Sequence, residues 1–138
     1  LADELWAHAV YADGARKCAI CGSDNINAHH MVPRGHEQTR YDLNNGICLC
    51  VHHHKWNNDL SPHLNGAGFL MWLQYHHPSR AAWYVDNRRP VFTGKKNADY
   101  YIATIRRLQQ YLEPEEFVDI IGPEFAAYLE ETREEPEA

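Results

Sequence analysis

The sequence lacks a long apolar run, a basic cluster near its start and any internal repeat. Its first 18 residues, LADELWAHAVYADGARKC, have neither the charged beginning nor the apolar stretch of a signal peptide. No segment is apolar over the length of a membrane span. We therefore expect a soluble, intracellular, cytoplasmic protein without a membrane partner. Its 138 residues, 44% of them hydrophobic, suffice for one modest domain with its own core.

Cysteine is also scarce, with four residues in the chain, two of which shortly precede a run of three histidines. Cys18 and Cys21 form a C-x-x-C pair, and the other two cysteines lie in the stretch CLCVHHHKW, residues 48–56. The chain also contains ten histidines. In a sequence without a secretion signal, this pattern favours metal binding over two disulfides.

The net charge of −6 is unevenly distributed. Residues 1–60 carry −2, residues 61–112 carry +5, and residues 113–138 carry −9. Without its acidic tail the chain is mildly basic, which is compatible with a phosphate-backbone partner. The tail is either a solvated helix with a frayed end or a segment that competes with DNA or docks a protein partner.

The apolar periodicity predicts an N-terminal helix, two short strands and a helical second half. The first helix buries Leu5, Trp6, Ala9 and Val10 and stops at Asp13-Gly14. Strands are expected in NAHHMVPRG and GICLC, with a polar loop HEQTRYDLNN between them, and VHHHKWNNDL is expected to begin a helix. Five further helices are predicted in GAGFLMWLQYHH, PSRAAWYVDNRR, ADYYIATIRRLQQYL, PEEFVDIIG and PEFAAYLEETREE.

The cysteine pattern predicts a tetrahedral zinc site. Cys18 and Cys21 form one half of it, in a knuckle where Gly22 allows the tight turn. Cys50 and His53 have the same two-residue gap and are the favoured second half. Cys48 is the alternative to Cys50, since residues two apart on a strand face the same side.

Helical geometry indicates which histidines lie outside this site. Successive helical residues differ in direction by about 100°, so His53 and His54 point to different sides. His54 and Asn58, four residues apart, share a face. One face of the helix can hold zinc, while the face with His54 can point towards His29 and His30, two histidines that are adjacent in the sequence.

The motifs C-x-x-C, HHMVPRG, YDLNNGICLC and HHHKWNN, in this order, resemble the HNH endonucleases of the ββα-metal fold, particularly the zinc-stapled, phage-type members. The resemblance covers about residues 1–77. It implies an α+β fold with a ββα-metal core and a structural zinc site, extended by several C-terminal helices. Residues 1–77 would form the nuclease domain with the N-terminal helix and zinc knuckle. Residues 78–138 would be a helical extension with the acidic tail, packed on the same domain.

The resemblance also assigns site residues. His29 matches the first metal ligand, where many members have Asp, and His30 matches the general base. Asn45, with its neighbour Asn44 as the alternative, would brace the loop and orient His30. The remaining two ligand positions match His54 and Asn58.

The family often has a histidine at the position of Asn58, so this asparagine would be a weaker or water-mediated ligand. Such a set is expected to favour Mg²⁺ or Mn²⁺, although two imidazoles also tolerate Zn²⁺, Ni²⁺ or Co²⁺.

The resemblance implies a metal-dependent DNA endonuclease or nickase of the phage type, acting in a host cytoplasm. His30 would take a proton from the water that attacks phosphorus, so activity should fall in acid. The ion held by His29 and His54 would stabilise the developing charge and the leaving 3′ oxygen. The alternative is a zinc-stapled nucleic-acid-binding module without catalysis. Monomer and homodimer both remain open, and a monomer is expected to nick.

DNA contacts would be mainly to the backbone. Arg34, just beyond the HH strand, is a candidate phosphate contact, whereas Arg40 and Lys55 are expected to be solvated. The strongest basic patch consists of Arg88, Arg89, Lys95 and Lys96. The remaining histidines are expected to be ordinary surface or core-edge residues: His8, His36, His52, His63, His76 and His77.

Overall fold

Two antiparallel strands, β1 (Ile26–His30) and β2 (Gly46–Cys50), form the sheet, and helices make up most of the remaining structure. The computed structural model describes residues 1–133. Ala28 pairs with Cys48 and His30 with Gly46, so the histidine pair ends β1 where β2 begins. The prediction of an α+β protein is confirmed by this combination of helices and sheet.

Seven α-helices are distributed along the described chain. Pro78, Pro114 and Pro123 open three of them, at the position where a missing backbone N–H costs nothing. Side-chain oxygens of Asn65 and Asn97 cap two others. The bounds are α1 (Ala2–Asp13), α2 (Glu37–Arg40), α3 (Gly66–His76), α4 (Pro78–Asn87), α5 (Ala98–Gln109), α6 (Pro114–Ile121) and α7 (Pro123–Glu131).

Two predicted elements differ from the structure. The segment HEQTRYDLNN contains α2 and a 3₁₀ turn, Leu43–Asn45, and buries Glu37 and Thr39, so the prediction of a plain polar loop is wrong. The helix predicted after β2 is a single π-helical turn, His52–Trp56, closed by the Asn57 N–H on the His52 carbonyl at 2.8 Å. Asn57 is extended, so the helix does not continue.

The core has two parts, one on each side of the sheet. On one side α1 packs between the sheet and helices of the C-terminal half. Gly46 allows α1 to lie close to β2, because a Cβ there would collide with Val10. On the other side β2 packs against α3 and α4. The first part includes Leu5, Trp6, Ala9, Val10, Ile105, Leu108, Phe117, Ile121 and Leu129; the second includes Ile47, Leu49, Phe69, Leu73 and Ala81.

The C-terminal helices therefore pack on the N-terminal helix. Within residues 1–133, no helix has both the length and the apolar character needed to cross a membrane. The predicted last helix ends at Glu131. Residues 134–138 of the acidic tail lie outside the described residues, and the predictions about the end of the tail lie there too.

Candidate metal centres

Four of the predicted zinc ligands meet in one place, which we call the cysteine cluster: Cys18, Cys21, Cys50 and His53. Their ligand atoms all lie within 4.8 Å of one another. Cys21 Sγ is 3.7 Å from Cys50 Sγ, and His53 Nδ1 is 3.3 Å from Cys50 Sγ. The cysteine cluster is close enough to hold a metal ion.

The backbone shapes this cluster before any ion is bound. Gly22 has a φ of 78°, a conformation that glycine adopts without strain, and its N–H bonds the Cys18 carbonyl at 2.9 Å. Backbone N–H groups of Ile20 and His53 each point at a cysteine sulfur, Cys18 and Cys50 respectively, at 3.4 Å. These donors stabilise negative charge on sulfur, which is the form that binds metal.

Cys48, the alternative ligand, lies away from the cluster. Its side chain is buried in the core beside α1, where a Cβ at Gly14 would lie 2.9 Å from the Cys48 Cβ. Burial raises the pKa of Cys48 to about 11, so this thiol stays protonated at neutral pH.

A second group of ligands forms the histidine cluster: His29, His54 and His63. His54 Nε2 lies 3.0 Å from His29 Nδ1 and 2.9 Å from His63 Nε2. All three nitrogens are within 4.8 Å of one another. His29 comes from β1, His54 from the π-helical turn, and His63 from the loop before α3, so three separate segments converge here.

The sequence predicts that His63 is an ordinary surface residue, and its place in this cluster corrects that prediction. It is exposed, but the loop that carries it is tied down, because Ser61 Oγ donates to the His54 carbonyl at 2.7 Å. Asn58 is exposed and lies beyond the end of the π-helical turn. Among the described residues, His63 and not Asn58 lines the cavity beside His54.

The tautomer of His54 follows from its second ring nitrogen. Nδ1 lies 3.3 Å from Asn27 Oδ1, an oxygen that can only accept, so the proton is on Nδ1. The Nε2 lone pair therefore points at His29 and His63. An outer hydrogen bond of this kind is typical of metal-binding histidines. Asn27 shares a strand face with His29, two residues away.

The imidazoles of His29 and His54 are suited to act as neutral metal ligands. Burial, with the neighbouring His54 and His63, lowers the pKa of His29 to about 3. Burial and the nearby His63 lower the pKa of His54 to about 4. At neutral pH these two rings are uncharged and their nitrogens are available to a cation.

His30 points to the opposite side of the strand from His29, towards α1. Its ring stacks on Trp6 with centroids 3.7 Å apart and planes 10° apart. His30 Nε2 lies 3.0 Å from the Arg40 carbonyl, so Nε2 carries the proton and Nδ1 is left as the basic atom. Burial lowers the pKa of His30, and the Arg40 carbonyl opposes that shift.

Arg40 is held in place from α1. Its guanidinium bonds both carboxylate oxygens of Asp3, at 2.9 and 2.6 Å, and this pair holds the pKa of Asp3 below its usual value. The expectation that Arg40 is solvated is therefore wrong. Helix α1 thus supports His30 twice, through the Trp6 ring and through the residue whose carbonyl bonds the imidazole.

Asn45 is fully buried and braces the loop that follows His30. Its Oδ1 accepts from the Val32 N–H at 2.6 Å, and its Nδ2 donates to the carbonyls of Val32 and Thr39 at 2.9 and 3.2 Å. Asn44, its neighbour, is exposed.

A cavity of about 910 Å³ opens beside the histidine cluster. His29, His54, His63 and also His30 line it, although His29 and His30 leave the strand on opposite faces. Among the cations, Arg34 and Lys55 line the cavity.

The other predicted DNA contacts lie elsewhere. Arg88 follows α4, and Arg89, Lys95 and Lys96 lie between α4 and α5; all four are exposed. Lys96 Nζ is 4.0 Å from a carboxylate oxygen of Glu37. None of the four is among the described residues that line the cavity.

No protein-family model matches the chain, and no curated protein or solved structure matches it either.

Proposed function

We propose that the protein is a metal-dependent nuclease of the HNH type, a DNA endonuclease or nickase built on a ββα-metal core. The observation that carries the proposal is the convergence of three imidazole nitrogens in a cavity that His30 also lines. β1, which supplies His29 and His30, is followed in the chain by β2 and then by the π-helical turn, which supplies His54. This is the order of a ββα unit, with the turn in place of a full helix.

The cysteine cluster is proposed to hold a structural zinc. A tetrahedral ion with Zn–S bonds of about 2.3 Å places its sulfurs about 3.8 Å apart and sulfur and nitrogen about 3.6 Å apart. The Cys21–Cys50 distance is 3.7 Å, and the sulfur–nitrogen distances from His53 are 3.3 Å to Cys50 and 3.9 Å to Cys18. Four protein ligands complete such a site and leave no position for substrate.

The histidine cluster is proposed to hold the catalytic ion. Ligands at metal–nitrogen bonds of about 2.1 Å lie about 3.0 Å from one another at octahedral angles and about 3.4 Å at tetrahedral angles. The two nitrogen distances to His54 are 2.9 and 3.0 Å. Three imidazoles without a carboxylate favour Zn²⁺, Ni²⁺ or Co²⁺ over Mg²⁺, whereas two imidazoles and Asn58 would have favoured Mg²⁺ or Mn²⁺.

His30 is proposed to be the general base. With its Nε2 proton committed to the Arg40 carbonyl, Nδ1 accepts a proton from a water molecule as the water oxygen attacks phosphorus. The bond from phosphorus to the 3′ oxygen breaks, and that oxygen leaves with the electron pair and takes a proton from solvent to become a hydroxyl group. A bound ion supplies Lewis-acid stabilisation of the charge that develops on the phosphoryl oxygens. Lowering of the His30 pKa by burial keeps the base neutral at physiological pH.

The cations near the cavity support a phosphate-bearing substrate. Arg34 and Lys55 line the cavity and can contact phosphates on either side of the scissile bond. Arg88, Arg89 and Lys95 are exposed and can add sequence-independent contacts with a duplex backbone.

A plasmid-cleavage assay tests the proposal. Protein stripped with EDTA is supplied with Mg²⁺, Mn²⁺, Co²⁺, Ni²⁺ or Zn²⁺, and nicked and linear products are separated on a gel. We expect cleavage with the transition metals, and a loss of about 100-fold or more in His30→Ala, which removes the base. His76→Ala, an exposed histidine at the end of α3, is the matched control and should cut normally.

Full cleavage by His30→Ala would refute the assigned base. If the wild type binds DNA but cuts it with none of these metals, the zinc-stapled nucleic-acid-binding module is the better description.

A further inference from the structure

We infer that the cavity beside the histidine cluster binds an unpaired nucleotide, so that the preferred substrate is a strand whose bases are unstacked next to the scissile phosphate. The inference rests on the proposed nuclease function. It concerns the part of the cavity that metal binding and phosphate contact do not use.

One side of the cavity is polar and the other is apolar. β1, the π-helical turn and the following loop supply the histidines, and Arg34 and Lys55 supply positive charge. α3 and α4 supply what we call the apolar wall: Phe69, Leu70, Leu73 and Tyr84. The Phe69 ring meets the His29 ring edge-on at 5.9 Å, so the wall begins directly at the histidine cluster.

Apolar side chains do not bind a phosphate group, which needs cations and hydrogen-bond donors. A nucleobase has two apolar faces and a polar edge, and it stacks on aromatic and aliphatic side chains regardless of sequence. The wall has two aromatic residues: Phe69 is buried and Tyr84 is half-buried, so Tyr84 is the one that can offer a ring face to a base.

The volume also fits a nucleotide. Pockets for small ligands measure roughly 300–1,000 Å³, and this cavity measures about 910 Å³. In a regular duplex the bases are stacked inside the helix and cannot enter such a cavity without being extruded. Gaps, flaps and single strands present a base without that cost.

Binding is measured with His30→Ala, a full-length chain loaded with Zn²⁺, so that cleavage does not interfere. The probes are a labelled DNA duplex and the same duplex with a central gap of unpaired nucleotides. We expect the gapped DNA to bind roughly tenfold more tightly, because base stacking on an aromatic ring contributes at that level.

Two further variants in the same background locate the effect. Tyr84→Ala should abolish the preference for gapped DNA, and Tyr84→Phe, which keeps the ring, should retain it. Ala67→Leu narrows the cavity from the exposed first turn of α3 and should reduce the preference without disturbing the core. Tyr75→Ala, which removes an 83% exposed ring on the same helix, is the control and should have no effect.

Equal affinity for both DNAs, or a preference that survives both Tyr84→Ala and Ala67→Leu, would overturn the inference. Wild-type cleavage of the same two DNAs separates this failure from that of the proposed function. If neither DNA is cut with any metal, the nuclease proposal fails, and the binding ratio still decides whether the cavity takes a nucleotide. If both are cut and bound equally, the nuclease proposal stands and the nucleotide site does not.

Discussion

The cysteine cluster and the histidine cluster share adjacent residues of the chain, His53 in the first and His54 in the second. They differ in the number of potential ligands, in ligand type and in access from the cavity. The first has four potential ligands, three of them sulfur. The second has three imidazole nitrogens and opens into a cavity. The π-helical turn sends the two neighbouring side chains to opposite sides, where His53 meets Cys50 and His54 meets His29.

We propose that this difference separates a structural from a catalytic metal site. A structural site is closed by protein ligands, whereas a catalytic site keeps a position for water or substrate. The cysteine cluster joins the knuckle to the end of β2, so an ion there would stabilise the fold. The histidine cluster leaves one side to the cavity, so an ion there could meet a substrate oxygen.

The largest effect is expected from Cys18→Ser. Removing one thiolate from the cysteine cluster should release the structural ion and destabilise the protein by about 5 kcal/mol or more, because metal binding and folding are coupled. Metal content and thermal unfolding measure this. Cys48→Ala is the matched control, since it removes a buried thiol outside the cluster and should keep the ion. A Cys18→Ser protein that retains its zinc would show that the two clusters are assigned wrongly.

Asn45→Ala should destabilise the protein by about 3 kcal/mol, because it leaves buried backbone groups of Val32 and Thr39 without partners. Urea unfolding measures the loss. Asn44→Ala, at the exposed neighbouring position, should change stability by less than about 0.5 kcal/mol. Equal effects at the two positions would contradict the assignment of the brace to Asn45.

When no ion is bound, the histidine cluster should make the free energy of unfolding of the protein depend on pH. His29 has a folded pKa of about 3 against an ordinary value of 6.5, so the unfolded chain takes up the proton first as the pH falls. Stability is therefore full above pH 6.5 and is lost as the pH falls towards 3, by about 2 kcal/mol at pH 5. Unfolding measured from pH 7 to pH 5 should give a shallower slope in His29→Gln, and an unchanged slope would contradict the burial of a neutral ring.

His63→Ala should weaken metal binding at the histidine cluster by roughly tenfold to a hundredfold, because one of three ligands is lost while two remain. Isothermal titration with Co²⁺ measures the affinity, and excess metal should restore cleavage. Asn58→Ala should leave the affinity unchanged. A larger loss of Co²⁺ affinity in Asn58→Ala than in His63→Ala would show that Asn58 is the third ligand.

The elements that sequence predicts best are those governed by local patterns. Helix α1 follows from the spacing of Leu5, Trp6, Ala9 and Val10, and it ends at Asp13, before Gly14, as expected. The metal knuckle follows from C-x-x-C with Gly22, whose positive φ is present. Such features depend on neighbours in the chain, so a sequence alone is sufficient for them.

The third histidine could not be predicted in this way. Its position depends on the end of the π-helical turn, where the Asn57 side chain accepts backbone N–H groups of Asp59 and Leu60 and so starts a new turn. Ser61 then fixes the loop on the His54 carbonyl. An α-helical extrapolation from His54 leads to Asn58 instead, because the pattern of residue types does not reveal the change of hydrogen-bonding register. The support of His30 by Trp6 and Arg40 likewise depends on contacts between distant parts of the chain.

The most direct test of the two-centre account compares His53→Ala with His54→Ala, two single changes at adjacent positions. Zinc content and plasmid cleavage are measured on both full-length variants. We expect His54→Ala to keep its tightly bound structural zinc and its thermal stability while losing cleavage. His53→Ala should weaken the structural zinc and lower the unfolding temperature. Loss of structural zinc from His54→Ala with retention in His53→Ala, or the same loss from both, would contradict the separation of the two centres.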